Sequence, residues 1–169
     1  AAGAKEEVAR IVGAIRRRWG AVEIWLRGDS GFCREELMSW CEGEKVEYIF
    51  GLAKNERLIT ELAPAMAAAA ELYARTGQAA RAFAEFSYQT RTSWSRARRV
   101  TGKAEHLAKG AKPRFVVTSL PAGAFGGREL YEDLYCARGE MENRIKEQQL
   151  HLFADRTSAA TMRANQLRL

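Results

Sequence analysis

The sequence is poor in the residues that form disulfide frameworks and metal cages. It has 3 Cys and 2 His among 169 residues, and no two cysteines have the CxxC spacing. The odd number of cysteines argues against a disulfide framework, and the missing CxxC pairs argue against a zinc cage. We therefore interpret Cys33, Cys41 and Cys136 as small buried apolar side chains in a reducing compartment.

Long apolar runs and an excess of glycine or proline are also absent. No run approaches the ~20 apolar residues of a membrane span, and no signal-peptide pattern opens the chain, so no membrane partner is expected. The 14 Gly, the 3 Pro and the 47% of apolar residues exclude a fibrous repeat and a disordered tail. The composition predicts one globular domain with a single core.

Positive charge exceeds negative charge along the chain. There are 27 Lys and Arg residues against 21 Asp and Glu, which gives a net charge of +6 and a pI of about 9.5. This balance favours a polyanionic partner without identifying one.

The first third of the chain predicts an α/β arrangement. Residues 1–19 have the apolar spacing of a helix, and residues 22–26, 33–44 and 46–52 read as strand, helix and strand. Such a unit predicts two parallel neighbouring strands. Asp29 follows the first strand, at the end of a parallel sheet where functional groups gather. Ordinary turn chemistry is the commoner role for an Asp in this position.

The periodicity then changes twice. Residues 55–80 are Ala-rich and helical, with Pro64 as an expected boundary or kink. From 82 to 120 the period is about two, which predicts an antiparallel insertion. This insertion contains Trp94 and eight cations, and a surface of this kind predicts salt-dependent binding to a nucleic-acid backbone. A solvated loop that maintains solubility is equally compatible. The cations are Arg91, Arg96, Arg98, Arg99, Lys103, Lys109, Lys112 and Arg114.

A last helix is predicted from about residue 128 to beyond residue 151. At ~100° per residue, four of its polar side chains project from one face, and their composition is not that of a core stripe. The alternative is a solvated face with ordinary pairs such as Glu142 with Lys146. The four residues on this face are Tyr135, Arg138, Glu142 and Gln149.

Both ends of the sequence read as helices without caps, and the first residue is not Met. A domain usually caps its terminal helices, so we expect the chain to be the middle of a longer protein.

Two motifs resemble those of bacterial insertion-sequence transposases of the DDE type. The first is RGDSGF at 27–32, followed by YIFGLAKN at 48–55, and the second is YCARGEMENRIKE at 135–147. The most similar branch has its second acid in an (R/A)DSGF turn. The similarity runs from about residue 11 to the C-terminus, with the basic insertion between the motifs.

The resemblance implies a fold and a division of the chain. The fold would be a partial RNase H-like α/β fold, with a β-rich insertion between the last sheet strand and the Glu-bearing helix. Residues 1–54 would form part of the core, residues 55–127 the basic helical and antiparallel insertion, and residues 128–169 the helices that complete the core.

The resemblance also implies roles for individual residues. Asp29 and Glu142 match two of the three catalytic acids that bind metal. Tyr135 and Arg138 match residues that hold DNA phosphates near the site. Gln149 occupies the position of the signature lysine, for which Lys146 is a candidate substitute. Further DNA contacts would come from the insertion, through Arg91, Arg96, Arg98, Arg99 and Lys103.

The implied cofactor is Mg²⁺ or Mn²⁺, with two ions in the complete site. The implied partner is DNA, both transposon ends and target, bound by a homodimer of the full-length protein in the bacterial cytoplasm. The family's first acid has no counterpart here, because no Asp precedes Asp29. We therefore expect the chain alone to be inactive.

Three alternatives were weighed against this interpretation. A non-catalytic, basic DNA-binding remnant remains open. The GDSG string is also similar to a serine-protease nucleophile turn, but Phe32 stands where that family has glycine and no His precedes Ser30. An Asp-dependent phosphatase would need a DxD-type partner, which Ser30 and Gly31 do not supply.

Overall fold

A computed structural model of the chain describes residues 3–138, which begin with helix α1, Ala4–Arg18. Its Val12 is buried against the core. Glu6 and Glu7 lie in the first turn and Arg16 to Arg18 in the last turn, an arrangement that suits the helix dipole. The helix predicted for the start of the chain is confirmed.

The strand–helix–strand unit is present. It consists of β1 (Trp25–Gly28), α2 (Glu35–Gly43) and β2 (Glu47–Leu52). The two strands are parallel neighbours, with Trp25 opposite Glu47 and Gly28 opposite Phe50. The predicted pairing is therefore correct, although β1 begins three residues later than expected and reaches Gly28.

Helix α3 spans Glu56–Thr76 without interruption. It begins at Asn55, whose side-chain oxygen accepts a hydrogen bond from the Leu58 N–H at 3.0 Å. Pro64 lies inside the helix and is not a boundary. Buried Leu58, Leu62 and Ala69 attach this helix to the sheet, and this tertiary packing stabilises the helix despite its proline.

The predicted antiparallel segment contains four strands. They are β3 (Ala80–Tyr88), β4 (Arg98–Leu107), β5 (Gly110–Ala111) and β6 (Arg114–Thr118). Strand β6 pairs antiparallel with both β2 and β4, so the insertion strands extend the same sheet as β1 and β2. Within residues 3–138, six strands form one mixed sheet in the order β1-β2-β6-β4-β3, with β5 beside β4.

These strand directions define two ends of the sheet. The carboxyl ends of β1 and β2 lie beside the amino end of β6, and we call this the Asp29 end. The amino end of β4 lies beside the carboxyl ends of β3 and β6, and we call this the Arg98 end. The two ends are separated by the length of the strands.

Each face of the sheet is covered. Helices α1 to α3 pack on one face around Tyr48, Phe50 and Val117. Ile49 and Val116, which alternate with those residues, face the segment of Leu130 and Tyr131. The period of two thus separates two apolar clusters. Together they give the mixed α/β architecture that is consistent with a partial RNase H-like domain.

Two smaller expectations need correction. Cys41 is buried and Cys33 is half-buried, but Cys136 is exposed and is not a core residue. No helix within residues 3–138 combines the length and the apolar character that a bilayer span requires.

The chain beyond residue 126 does not follow the predicted regular α-helix. It forms the short helix α4, Gly127–Glu129, then a π-helical turn, Leu130–Tyr135. The described residues up to Tyr135 belong to one compact unit, and the 3₁₀ turn Cys136–Arg138 belongs to another. The uniform step of ~100° does not hold for this segment, because π and 3₁₀ turns wind differently from an α-helix. The predicted positions Glu142, Lys146 and Gln149 lie outside the described residues.

Candidate functional site

Asp29 directly follows β1 and is held in a tight turn. Its Oδ1 accepts a hydrogen bond from the Gly31 N–H at 2.9 Å, and its carbonyl accepts one from the Phe32 N–H at 3.1 Å. Asp29 therefore performs the turn chemistry typical of such positions. The same bonds fix the orientation of its carboxylate at the exposed end of the strand.

Gly28 and Phe32 explain why the motif around Asp29 has this sequence. A Cβ at Gly28 would lie 2.9 Å from the Phe32 ring, so only glycine leaves room for the ring. Phe32 in turn stacks on Phe50 of β2, with ring centroids 6.4 Å apart. The aromatic ring anchors the Asp29 turn on the hydrophobic core.

Tyr135 reaches the same turn from the far end of the described chain. A Cβ at Gly51 would lie 2.6 Å from the Tyr135 hydroxyl oxygen and 3.1 Å from the Ser30 nitrogen. Tyr135 and the Asp29 turn therefore meet across the small surface of Gly51. Two residues from different sequence motifs are brought together, as a shared site requires.

Polar contacts attach the π-helical turn to the sheet. The Arg27 guanidinium donates a hydrogen bond to the Leu134 carbonyl at 2.6 Å. Arg81 pairs with Glu132 at 3.2 Å. Arg27 is two residues before Asp29, so one strand positions both the carboxylate and the neighbour of Tyr135.

A cleft of about 380 Å³ opens at this end of the sheet, and we call it the Asp29 cleft. Its walls are Asp29 and Ser30, residues 51–54 at the end of β2, residues 113–115 at the start of β6, Tyr131 and Tyr135. It therefore joins the ends of three adjacent strands with the π-helical turn.

Two exposed cations line this cleft, Lys54 and Arg114. Neither was selected as a site residue from the sequence. A usable signal existed, since both residues stand next to strand ends and Lys54 belongs to the YIFGLAKN stretch. The sequence alone did not show that these strand ends are adjacent to Asp29.

Arg98, predicted to bind DNA, is instead a structural residue. Its side chain is only 2% exposed and forms ion pairs with Glu35 and Glu42, each at 2.7 Å. Its guanidinium also lies 5.5 Å from the centre of the buried Trp94 ring. A DNA phosphate cannot reach a guanidinium enclosed in this way, so the prediction for Arg98 is wrong.

The carboxylates around Arg98 are strongly stabilised in their charged form. Burial acts to raise the pKa of Glu35, but hydrogen bonds from Arg98, Ser39 and Ser95 outweigh it and lower the pKa to about 2. Burial likewise opposes the ionisation of Glu42, and hydrogen bonds from Arg98 and Tyr48 lower its pKa overall. Arg98 thus joins α2 to β4 as an ion-pair network.

The remaining predicted cations of the insertion divide into two groups. Arg99 and Lys103 are largely buried and are compensated by Glu85 at 2.7 Å and Glu105 at 3.1 Å. Arg96 is exposed but pairs with Glu42 at 2.6 Å. Arg91 is exposed. Arg91, Arg96 and Arg99 all lie at the Arg98 end, away from Asp29.

The described residues contribute one carboxylate to the Asp29 cleft, that of Asp29. Within residues 3–138 no three His, Cys, Asp or Glu side chains cluster as metal ligands. Mg²⁺ requires a few carboxylates together with other oxygens. The described donors therefore fit one ligand of such a site and not a complete one. Glu142 as a second ligand stays a prediction.

Comparisons with curated proteins and with solved structures found no match. A comparison with protein-family models matches residues 1–169 to the family described as "Transposase DDE domain group 1". Proteins of this kind act on DNA and generally use divalent metal ions. Since the match covers the whole chain and agrees with the mixed α/β sheet, the protein belongs to the transposase DDE domain family.

Proposed function

We propose that this chain supplies part of the catalytic domain of a DNA transposase, which cleaves and joins DNA strands. The meeting of Tyr135 with the Asp29 turn carries the proposal. It supports a single site built from both ends of the described chain, in a cleft that also presents two cations.

Asp29 is the proposed catalytic acid of the described part. The Gly31 N–H holds one of its carboxylate oxygens, and the Phe32 ring anchors the turn on the core. Glu142 is the proposed second acid, and the two carboxylates are the proposed ligands of Mg²⁺ or Mn²⁺. Two such ions, when bound, activate the attacking oxygen and stabilise the leaving oxygen of a phosphodiester.

Tyr135 is the proposed phosphate-positioning residue at the Asp29 turn. Its phenol can donate one hydrogen bond to a phosphate oxygen, and the contacts of Arg27 and Arg81 restrict the segment that carries it. Arg138 is proposed to add a charged donor. Lys146 and Gln149 remain candidates for the contact that the signature lysine makes in the family.

DNA is the proposed partner, with transposon ends and target bound by a homodimer of the full-length protein in a bacterial cell. Because no Asp precedes Asp29, we also propose that the 169 residues alone do not cleave DNA. A three-carboxylate site has lost one of its acids in this stretch.

Mn²⁺ binding tests the proposed metal site directly. Titration of the 169-residue chain, followed by the loss of the free Mn²⁺ signal in electron paramagnetic resonance, should show binding that weakens about tenfold in Asp29→Asn. Asp133→Asn is the matched control, because Asp133 is an exposed aspartate of the π-helical turn that does not line the Asp29 cleft. Equal effects of both substitutions would contradict the role of Asp29.

Plasmid nicking in Mg²⁺ or Mn²⁺ tests the proposed inactivity. The wild-type chain should bind the plasmid and leave it supercoiled. Nicking that disappears in Asp29→Ala would overturn the inactivity and support the catalytic assignment. Failure to bind DNA at low salt would contradict the transposase function itself.

A non-catalytic DNA-binding remnant is the second candidate. The presence of a single carboxylate among the described residues of the cleft, beside two cations, favours it. In that case the chain binds DNA, while Mn²⁺ binding is the same in wild type and Asp29→Asn.

A further inference from the structure

The two cations of the Asp29 cleft stand side by side. Strands β2 and β6 are paired neighbours with Leu52 opposite Phe115, so Lys54 and Arg114 lie close to the same strand ends. Arg114 alternates with Val116, which faces the apolar cluster containing Tyr131 and Tyr135. Both cations line the cleft that these tyrosines close.

The order of the strands places Asp29 in line with this pair. Strand β1 ends at Asp29, β2 ends just before Lys54, and β6 begins at Arg114. Neighbouring strands are about 4.8 Å apart, so this row of strand ends spans about 10 Å. The cleft volume of about 380 Å³ is that of a small-molecule site. It suits a segment of one nucleic-acid strand and not a duplex.

The charge of this pair is not compensated by carboxylates. Within residues 3–138 neither cation takes part in an ion pair, whereas Arg96, Arg98 and Lys103 each do. Both side chains belong to exposed residues. Two adjacent cations repel each other, and an anion with several oxygens bound between them relieves that repulsion.

We infer that Lys54 and Arg114 bind the phosphodiester backbone of the DNA strand that passes Asp29, in place of the cation cluster that the sequence indicated. This inference rests on the proposed function and deepens it. The pair gives affinity without sequence specificity, since it reads charge and not base edges. It holds one strand in the cleft beside the Asp29 carboxylate.

Fluorescence anisotropy of a labelled single-stranded DNA, at several salt concentrations, tests the inference. The 169-residue wild-type chain is compared with the double variant Lys54→Gln/Arg114→Gln. The expected result is a loss of affinity of about tenfold at low salt and a salt slope smaller by about two, one for each lost phosphate contact. The charge-preserving variant Lys54→Arg/Arg114→Lys should retain most of the affinity.

Two further double variants serve as comparisons. Arg17→Gln/Arg18→Gln removes two exposed cations of α1 that do not line the cleft, and it should change the affinity less than about twofold. Arg91→Gln/Arg96→Gln removes the exposed cations of the insertion. Far-UV circular dichroism confirms that each variant is folded.

The outcomes separate the inference from the proposed function. If the wild type binds DNA and Lys54→Gln/Arg114→Gln binds equally well, the inference is overturned and the transposase proposal stands. The same holds if Arg91→Gln/Arg96→Gln causes the larger loss. If the wild type does not bind DNA at low salt, both are overturned.

Discussion

The two ends of the sheet contain similar residues in opposite electrostatic states. At the Arg98 end, Arg98 is enclosed by Glu35 and Glu42, and Arg99 is compensated by Glu85. At the Asp29 end, two exposed cations line the cleft without an ion pair within residues 3–138.

The size of a cavity does not distinguish the two ends in favour of the Arg98 end. The cleft there is the larger, with about 580 Å³ against about 380 Å³. Its lining includes Arg96, Arg98 and Arg99, which are all ion-paired. The comparison teaches that the state of a charge, and not the number of arginines, indicates where an anion binds. A paired guanidinium stabilises the fold, and an unpaired cation can accept a ligand.

The largest effect is expected from Arg98→Met, which would leave Glu35 and Glu42 without their buried partner. Removing one member of a buried ion pair costs about 3–5 kcal/mol in the free energy of unfolding. Urea denaturation at neutral pH measures this loss. The matched control is Arg96→Gln, whose side chain is 59% exposed; it should cost less than about 1 kcal/mol. Equal costs would show that Arg98 is no more structural than its exposed neighbour.

A smaller effect is expected when the wild type is acidified. The pKa of Glu35 is about 2 in the folded chain, against an ordinary value of 4.5. A lowered carboxyl pKa contributes stability that is complete above the ordinary value and is lost as the pH falls toward the folded value. We expect a decrease of about 2–3 kcal/mol in the free energy of unfolding between pH 5 and pH 2.

The Arg98→Met variant sharpens this pH measurement. Without the guanidinium, burial alone raises the pKa of Glu35, so the Glu35 part of the acid loss should disappear or reverse. Urea denaturation of both proteins across the acid range measures the difference. An unchanged pH profile in the variant would contradict the network at the Arg98 end.

The smallest effect concerns the Asp29 end and comes from Gly51→Ala. The added methyl would crowd the Tyr135 hydroxyl and the Ser30 nitrogen, which we expect to cost about 2 kcal/mol of stability. Gly43→Ala is the control, since its new methyl would meet no atom within 4 Å. In a Tyr135→Phe background the cost of Gly51→Ala should decrease, which a double-mutant cycle measures. An unchanged cost would show that Tyr135 does not lie against Gly51.

The local pattern of the sequence determined much of the fold. The spacing of apolar residues predicted the helix α1 and the parallel pair of β1 and β2, because these patterns depend on near neighbours along the chain. The period of two predicted antiparallel strands between 82 and 120. The same spacing placed Asp29 at a strand end. The motifs around Asp29 and Tyr135 indicated the family to which the whole chain belongs.

Other features depended on partners that are distant in the sequence. Pro64 was expected to interrupt its helix, but the packing of α3 on the sheet maintains it. The helix after Arg128 was expected to be regular, but its described part contains π and 3₁₀ turns. Local propensity is a weak preference, and tertiary contacts override it.

The sequence by itself determined that this protein is basic, where its strands end and which motifs it contains. Only the tertiary structure decided which cations are compensated, because the carboxylates that pair with Arg98 come from α2 while Arg98 lies on β4. It also brought Tyr135 against the Asp29 turn, across Gly51. A charge acts on whatever lies within a few ångströms in space, and that neighbourhood is set by the folding of the whole sheet.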